Sequence, residues 1–97
     1  RTDVILNPIL IIEVLSKSTE SFDRGDKFQA YQTIESLREY VLVAQDKPAV
    51  EQFVRQTNGT WNYRAVIGRE SSLFLPSVEC TLDLGGVYDK VNWEQNL

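Results

Sequence analysis

Glu13 is a carboxylate set within the apolar run Ile9-Leu10-Ile11-Ile12-Glu13-Val14-Leu15. A run of that length reads as a strand buried on both faces, where an uncompensated charge is costly. A cation, a metal ion or a proton would each accommodate it, and each is a way in which active sites are built. Lys27, on the helix expected next, is the candidate cation. A carboxylate takes a hard cation such as Mg²⁺ through oxygen, while a lysine positions an attacking water and stabilises charge developing on a phosphorane. The same residues have a plainer reading. Lys27 would pair with Asp23 at i, i+4 and extend to solvent, while Glu13 makes an ordinary buried hydrogen bond. Tyr31, one turn beyond Lys27, would orient Lys27 or contact a phosphate, or else serve packing.

The elements that must position these groups follow from hydrophobic period. Asn7-Pro8 is the turn that launches the first strand. From Ser21 to Ile34 the pattern predicts a helix, because Asp23, Lys27, Ala30, Tyr31 and Ile34 fall within roughly one quadrant of the helical wheel, with Lys27 at its middle. Gln29, Gln32 and Thr33 take the opposite, solvated side. Ser21 or Asp23 is the expected N-cap, and Gly25 weakens the first turn. After a loop from Glu35 to Arg38, Tyr40 to Ala44 is a second apolar strand. Strand, helix, strand is a βαβ signature that puts the two strands side by side with the helix across them, so that Lys27 approaches Glu13.

Ala49 to Gln56 alternates, with Val50, Gln52 and Val54 on one face and Glu51, Phe53 and Arg55 on the other. Asn58-Gly59 marks a hairpin, and Trp61 to Ile67 returns in phase, so the three strands form an antiparallel meander. Ser72 to Leu75 is a short strand. Val78, Cys80, Leu82 and Leu84 alternate as a further strand with Cys80 buried and inert, Gly85-Gly86 breaks it, and Val87 to Trp93 forms a last helical turn that packs Tyr88 on the body. Gly85-Gly86 has no following Lys-Ser/Thr and is no phosphate loop. Asn58-Gly59-Thr60 matches a glycosylation acceptor, which the hairpin reading absorbs.

The chain has 97 residues, 42% hydrophobic and 25% charged, which fits one globular domain. It contains no histidine and one cysteine. Histidine-based triads and an internal disulfide are therefore excluded, and a zinc site is disfavoured. No stretch has the length of a membrane span, and no secretory signal pattern opens the chain, so a cytoplasmic protein is expected. The formal net charge of −4 argues against bulk electrostatic gripping of nucleic acid, although metal-binding nucleases are often acidic because their metal is uncounted.

Residues 7 to 16 (Asn-Pro-x-Leu-Ile-Ile-Glu-Val-Leu-Ser), 18 to 31 (Ser-Thr-Glu-x-Phe-Asp-Arg-Gly-Asp-Lys-Phe-x-x-Tyr) and 37 to 43 (Leu-Arg-Glu-Tyr-Val-Leu-Val) resemble the Uma2 family of the PD-(D/E)XK nuclease superfamily. The resemblance implies an α/β fold with an α+β mixed sheet, a restriction endonuclease-like core of strand, helix and strand followed by the meander. It also implies Mg²⁺, or Mn²⁺ in its place, and DNA phosphodiesters as substrate. Glu13 matches the acidic residue of the (D/E)XK strand and would be the metal ligand. The lysine of that motif would fall at Leu15; in Uma2-like proteins it lies on the following helix, which matches Lys27. The Pro-Asp strand that precedes Glu13 in the superfamily has no match here, and Asp3 is not assigned its role. The expectation is thus a partial domain over residues 1–97 whose N-terminal part is missing. Its open sheet edge would be covered by a second copy or a partner, with no membrane contact. Either it is a catalytically incomplete nuclease fragment, or it is a non-catalytic assembly or regulatory module that retains the fold.

Overall fold

A computed structural model describes residues 7–17 and 20–89, with Glu20 and Asp23 described in backbone only. Asp3 and residues 90–97 lie outside the described residues. Six strands are present: β1 (Leu10–Val14), β2 (Glu39–Val43), β3 (Ala49–Arg55), β4 (Trp61–Ile67), β5 (Ser72–Leu75) and β6 (Cys80–Asp83). The first four form one mixed sheet in the order β1-β2-β3-β4, with β1 and β2 parallel and the other pairs antiparallel. This α+β architecture is compatible with a restriction endonuclease-like fold. Among the described residues no helix is long and apolar enough to cross a membrane.

The β1–β2 crossover carries a helix over residues 20–31, in which Asp23–Lys27 is a π-helical stretch. Ser21 and Asp23 lie inside this helix, so neither is its N-cap. The helix stops at Tyr31, three residues short of the expected Ile34. Thr33 Oγ1 and Thr33 N both donate to the Ala30 carbonyl, which closes the last turn tightly. Arg55 then donates to the carbonyls of Gln32 and Glu35, supplying partners that a continuing helix would otherwise provide.

Register sorts the two faces of the sheet. Ile11, Tyr40, Phe53 and Tyr63 form one row facing the helix, and Glu13, Leu42, Glu51 and Ala65 form the next row on the same face. Phe28 of the helix stacks on Tyr40 at 5.2 Å between ring centroids and lies 4.5 Å from Phe53, while Tyr31 meets Tyr40 edge-on at 5.3 Å. These ring contacts seat the helix on the first row. On the opposite face Val41, Val43 and Val50 pack against Leu73 and Leu75 of the antiparallel β5–β6 ribbon and against Leu84 and Tyr88. Burial pushes the Tyr88 phenol pKa up, and its hydroxyl donates to the carbonyls of Ala44 and Ala49.

Three expectations are corrected. β1 is not buried on both faces, since Ile12 and Val14 are 47% and 62% exposed. Among the described residues only β2 pairs with β1, and on the ribbon side only Leu10 of β1 packs against the core. Cys80 is exposed, because it opens β6 at the turn end of a ribbon that has no third strand. Gly85 and Gly86 lie inside a helical turn, Leu84–Val87, that starts earlier than the expected one. Asp83 accepts from Gly85 N at its start, and a Cβ at Gly85 would stand 3.1 Å from the Arg69 carbonyl. At the β3–β4 hairpin, Gly59 has φ +88°, the left-handed conformation that glycine adopts without steric cost.

Candidate functional site

The strand period turns Ile11, Glu13 and Leu15 toward the helix side of β1, and the aromatic seating of Phe28 and Tyr31 brings the helix over them. Lys27 Nζ lies 2.5 Å from Glu13 Oε2, and the Tyr31 hydroxyl donates to Glu13 Oε1 at 2.6 Å. The Lys27 ammonium also lies 5.8 Å from the centroid of the Phe22 ring. The side chains of Lys27 and Glu13 are 31% and 16% exposed, so the pair sits at the margin of the core, shielded yet reachable from solvent. Two of the residues picked out by spacing, Lys27 and Tyr31, thus converge on the carboxylate of the third, Glu13. Tyr31 meets Glu13 itself, a contact that the sequence reading did not foresee.

A second cluster adjoins it. Arg24 forms a two-pronged salt bridge with Glu51 of β3, and the Tyr63 hydroxyl donates to Glu51 Oε1 at 2.7 Å. Arg24 holds the Glu51 carboxyl pKa below the usual range, outweighing the opposing effect of burial, and the hydrogen bond to Glu51 raises that of Tyr63. These residues escaped the sequence reading. The available signal was that Arg24 precedes Lys27 by three positions, and that Glu51 shares its strand face with Phe53.

Glu13 is a hard oxygen donor, and Mg²⁺ takes one or two such carboxylates together with waters and substrate phosphates. Its two oxygens already accept from Lys27 and Tyr31. Among the described residues no three His, Cys, Asp or Glu side chains gather to hold a metal ion. The described donor set therefore does not fit a complete divalent-metal site. What it can do is hold a fixed ammonium and a phenol around an anionic group at the surface of the sheet.

A mixed four-strand sheet crossed by a helix defines an α+β domain compatible with the restriction endonuclease-like class. The chain belongs to the Uma2 family, described as "Putative restriction endonuclease", whose profile matches residues 1–85. Membership implies divalent-metal use in general terms. Among its relatives is the "Uncharacterized protein slr1290" of the cyanobacterium Synechocystis sp. (strain ATCC 27184 / PCC 6803 / Kazusa). It is 39% identical over 67 residues, which cover 66% of this chain and 35% of the relative. The "Uncharacterized protein sll1609" of the same organism is 36% identical over 69 residues, covering 71% of this chain and 39% of the relative. The matched segments thus span under two fifths of the length of these relatives.

Proposed function

We propose that this chain is the part of a cytoplasmic Uma2 nuclease domain, spanning residues 1–97, that supplies the lysine and one carboxylate for hydrolysis of DNA phosphodiesters. The observation that carries the reading is the convergence of Lys27 and Tyr31 on Glu13 within a family described as "Putative restriction endonuclease". Glu13 aims the ammonium of Lys27, and Tyr31 fixes the carboxylate in turn. A phosphate arriving at this edge would meet the ammonium, which stabilises negative charge as it builds on the phosphoryl oxygens. Mg²⁺ dependence, with Mn²⁺ as a substitute, belongs to the same reading, and its remaining donors have to come from outside the described residues.

The test is cleavage of supercoiled plasmid by the purified chain in Mg²⁺ and in Mn²⁺, with Glu13→Ala alongside. Nicking that the variant loses is the expected result. A second reading is favoured by one observation, that both Glu13 oxygens are engaged and that among the described residues no three His, Cys, Asp or Glu side chains gather to hold a metal ion. In that reading the chain is a non-catalytic assembly or regulatory module. A folded chain that never nicks DNA, and whose melting temperature neither Mg²⁺ nor Mn²⁺ raises in the parent or in Glu13→Ala, selects it.

A further inference from the structure

The crossover helix presents its other cation, Arg24, to two clefts that meet at its side chain. One, of about 270 Å³, is walled by Leu15, Arg24, Lys47, Glu51 and Tyr63 at the carboxyl ends of β1 and β2. The other lies between Lys17, Ser21, Arg24 and Gly25. Among the described residues, the charged lining of the two is three cations, Lys17, Arg24 and Lys47, against the carboxylate of Glu51. Glu51 is itself consumed by Arg24 and Tyr63, so the surplus positive charge resides on Lys17 and Lys47, both exposed. A cleft whose described lining carries a surplus of positive charge, in a chain of net charge −4, focuses the local field and gathers anions.

The position of the clefts identifies the anion. Leu15, which walls the larger one, follows Glu13 by two residues on the same strand face, an advance of about 7 Å at the usual strand rise. Two nucleotides of one DNA strand advance by about the same distance. We infer that the double cleft binds backbone phosphates of DNA next to the one that reaches Lys27. Lys17 and Lys47 act as point charges, and Arg24, held by the Glu51 carboxylate that Tyr63 also bonds, is the fixed guanidinium between them. This inference rests on the nuclease reading of the Glu13–Lys27 site for the identity of its ligand, and it extends that reading to residues outside that site.

The experiment is fluorescence anisotropy of a labelled DNA duplex with the whole chain, in EDTA so that binding is read without cleavage, over a salt series of roughly 50 to 200 mM. The Lys17→Gln/Lys47→Gln double variant is expected to bind about tenfold more weakly and to lower the slope of log K against log salt by about two. Both lysines are exposed, and circular dichroism checks that the variant is folded. Unchanged affinity and slope in the double variant overturn the site, as does a parent chain that ignores the duplex at low salt. Tighter binding to an RNA duplex than to DNA overturns the assignment to DNA. A chain that binds DNA through these lysines, yet neither nicks plasmid nor gains melting temperature from Mg²⁺ or Mn²⁺, keeps the site and removes the nuclease reading instead, so the two failures are separable.

Discussion

Glu13 and Glu51 stand in one transverse row of the sheet, each opposite Leu42 from either side, and each receives a cation and a tyrosine hydroxyl. Two strand spacings separate them, about 10 Å. The cations, Lys27 and Arg24, sit three residues apart on the same helix, so the helix is fastened to the sheet at two points of charge as well as by Phe28 and Tyr31. The π-helical stretch between residues 23 and 27 contains both fastenings, and such widened turns recur where a helix is adapted to a site. The orientation of Lys27 over Glu13 is consequently tied to the Arg24–Glu51 bridge.

The Glu13–Lys27 pair should show measurable coupling. Glu13→Gln keeps an acceptor for Tyr31 and loses the charge, and Lys27→Met keeps the stem and loses the ammonium. A double-mutant cycle on urea unfolding is expected to give about 1 kcal/mol, between the values for exposed and buried pairs, because Lys27 is partly screened by water. Additive single effects would mean that the contact does not form in solution.

Arg24 depresses the folded-state pKa of Glu51 below its ordinary value of 4.5. A carboxyl with a depressed folded pKa contributes stability that is complete above the unfolded value and is lost as pH falls through the folded one. Arg24→Gln should therefore be less stable than the parent at neutral pH, and the gap should narrow as pH drops below about 4.5. Urea midpoints measured from neutral to acid pH report this directly. A gap that stays constant across that range would place the effect of Arg24 in packing and not in the Glu51 bridge.

Much of this was legible in the sequence. The strand limits at 61–67 and 72–75 follow the alternation of apolar residues and the turn signals beside them, and the Glu13–Lys27 encounter follows from a charge in an apolar strand and a lysine at the centre of a helical stripe. What escaped depends on three-dimensional placement. The exposure of Ile12 and Val14 depends on which strands flank β1, and residue type does not record neighbours. Arg24 and Glu51 lie 27 positions apart, and only the sheet register brings β3 under the helix so that they meet. Cys80 kept the apolar phase of its strand, yet the ribbon ends there.

The apolar edge of β1 predicts association. Ile9, Ile12 and Val14 are exposed on a strand for which the described residues provide a neighbour on one side only. An apolar edge of this kind is a template for pairing. Light scattering of the 97-residue chain at micromolar concentration is expected to give the mass of a dimer, a second copy covering the edge, and Val14→Lys to return the monomer. A monomer mass for the parent rules this out.

Glu39 tests how the two sheets are joined. Its carboxylate is fully buried on β2, on the ribbon side, and accepts from Gln52 Nε2 at 2.6 Å and from Ser77 N at 3.1 Å. Gln52 Nε2 also donates to the Phe74 carbonyl of β5 at 2.8 Å, so one amide links both sheets. Among the described residues, Ser77 Oγ is a buried polar atom without a partner, so this region tolerates little further loss. Glu39→Ala would orphan Ser77 N, leave Gln52 with its Phe74 bond and open a cavity. The expected cost is about 3 kcal/mol in urea unfolding. Glu39→Gln retains the volume and one of the two acceptor oxygens, so its cost should be smaller. If the two variants were equally destabilised, the charge itself and not the hydrogen bonds would hold the ribbon to the sheet.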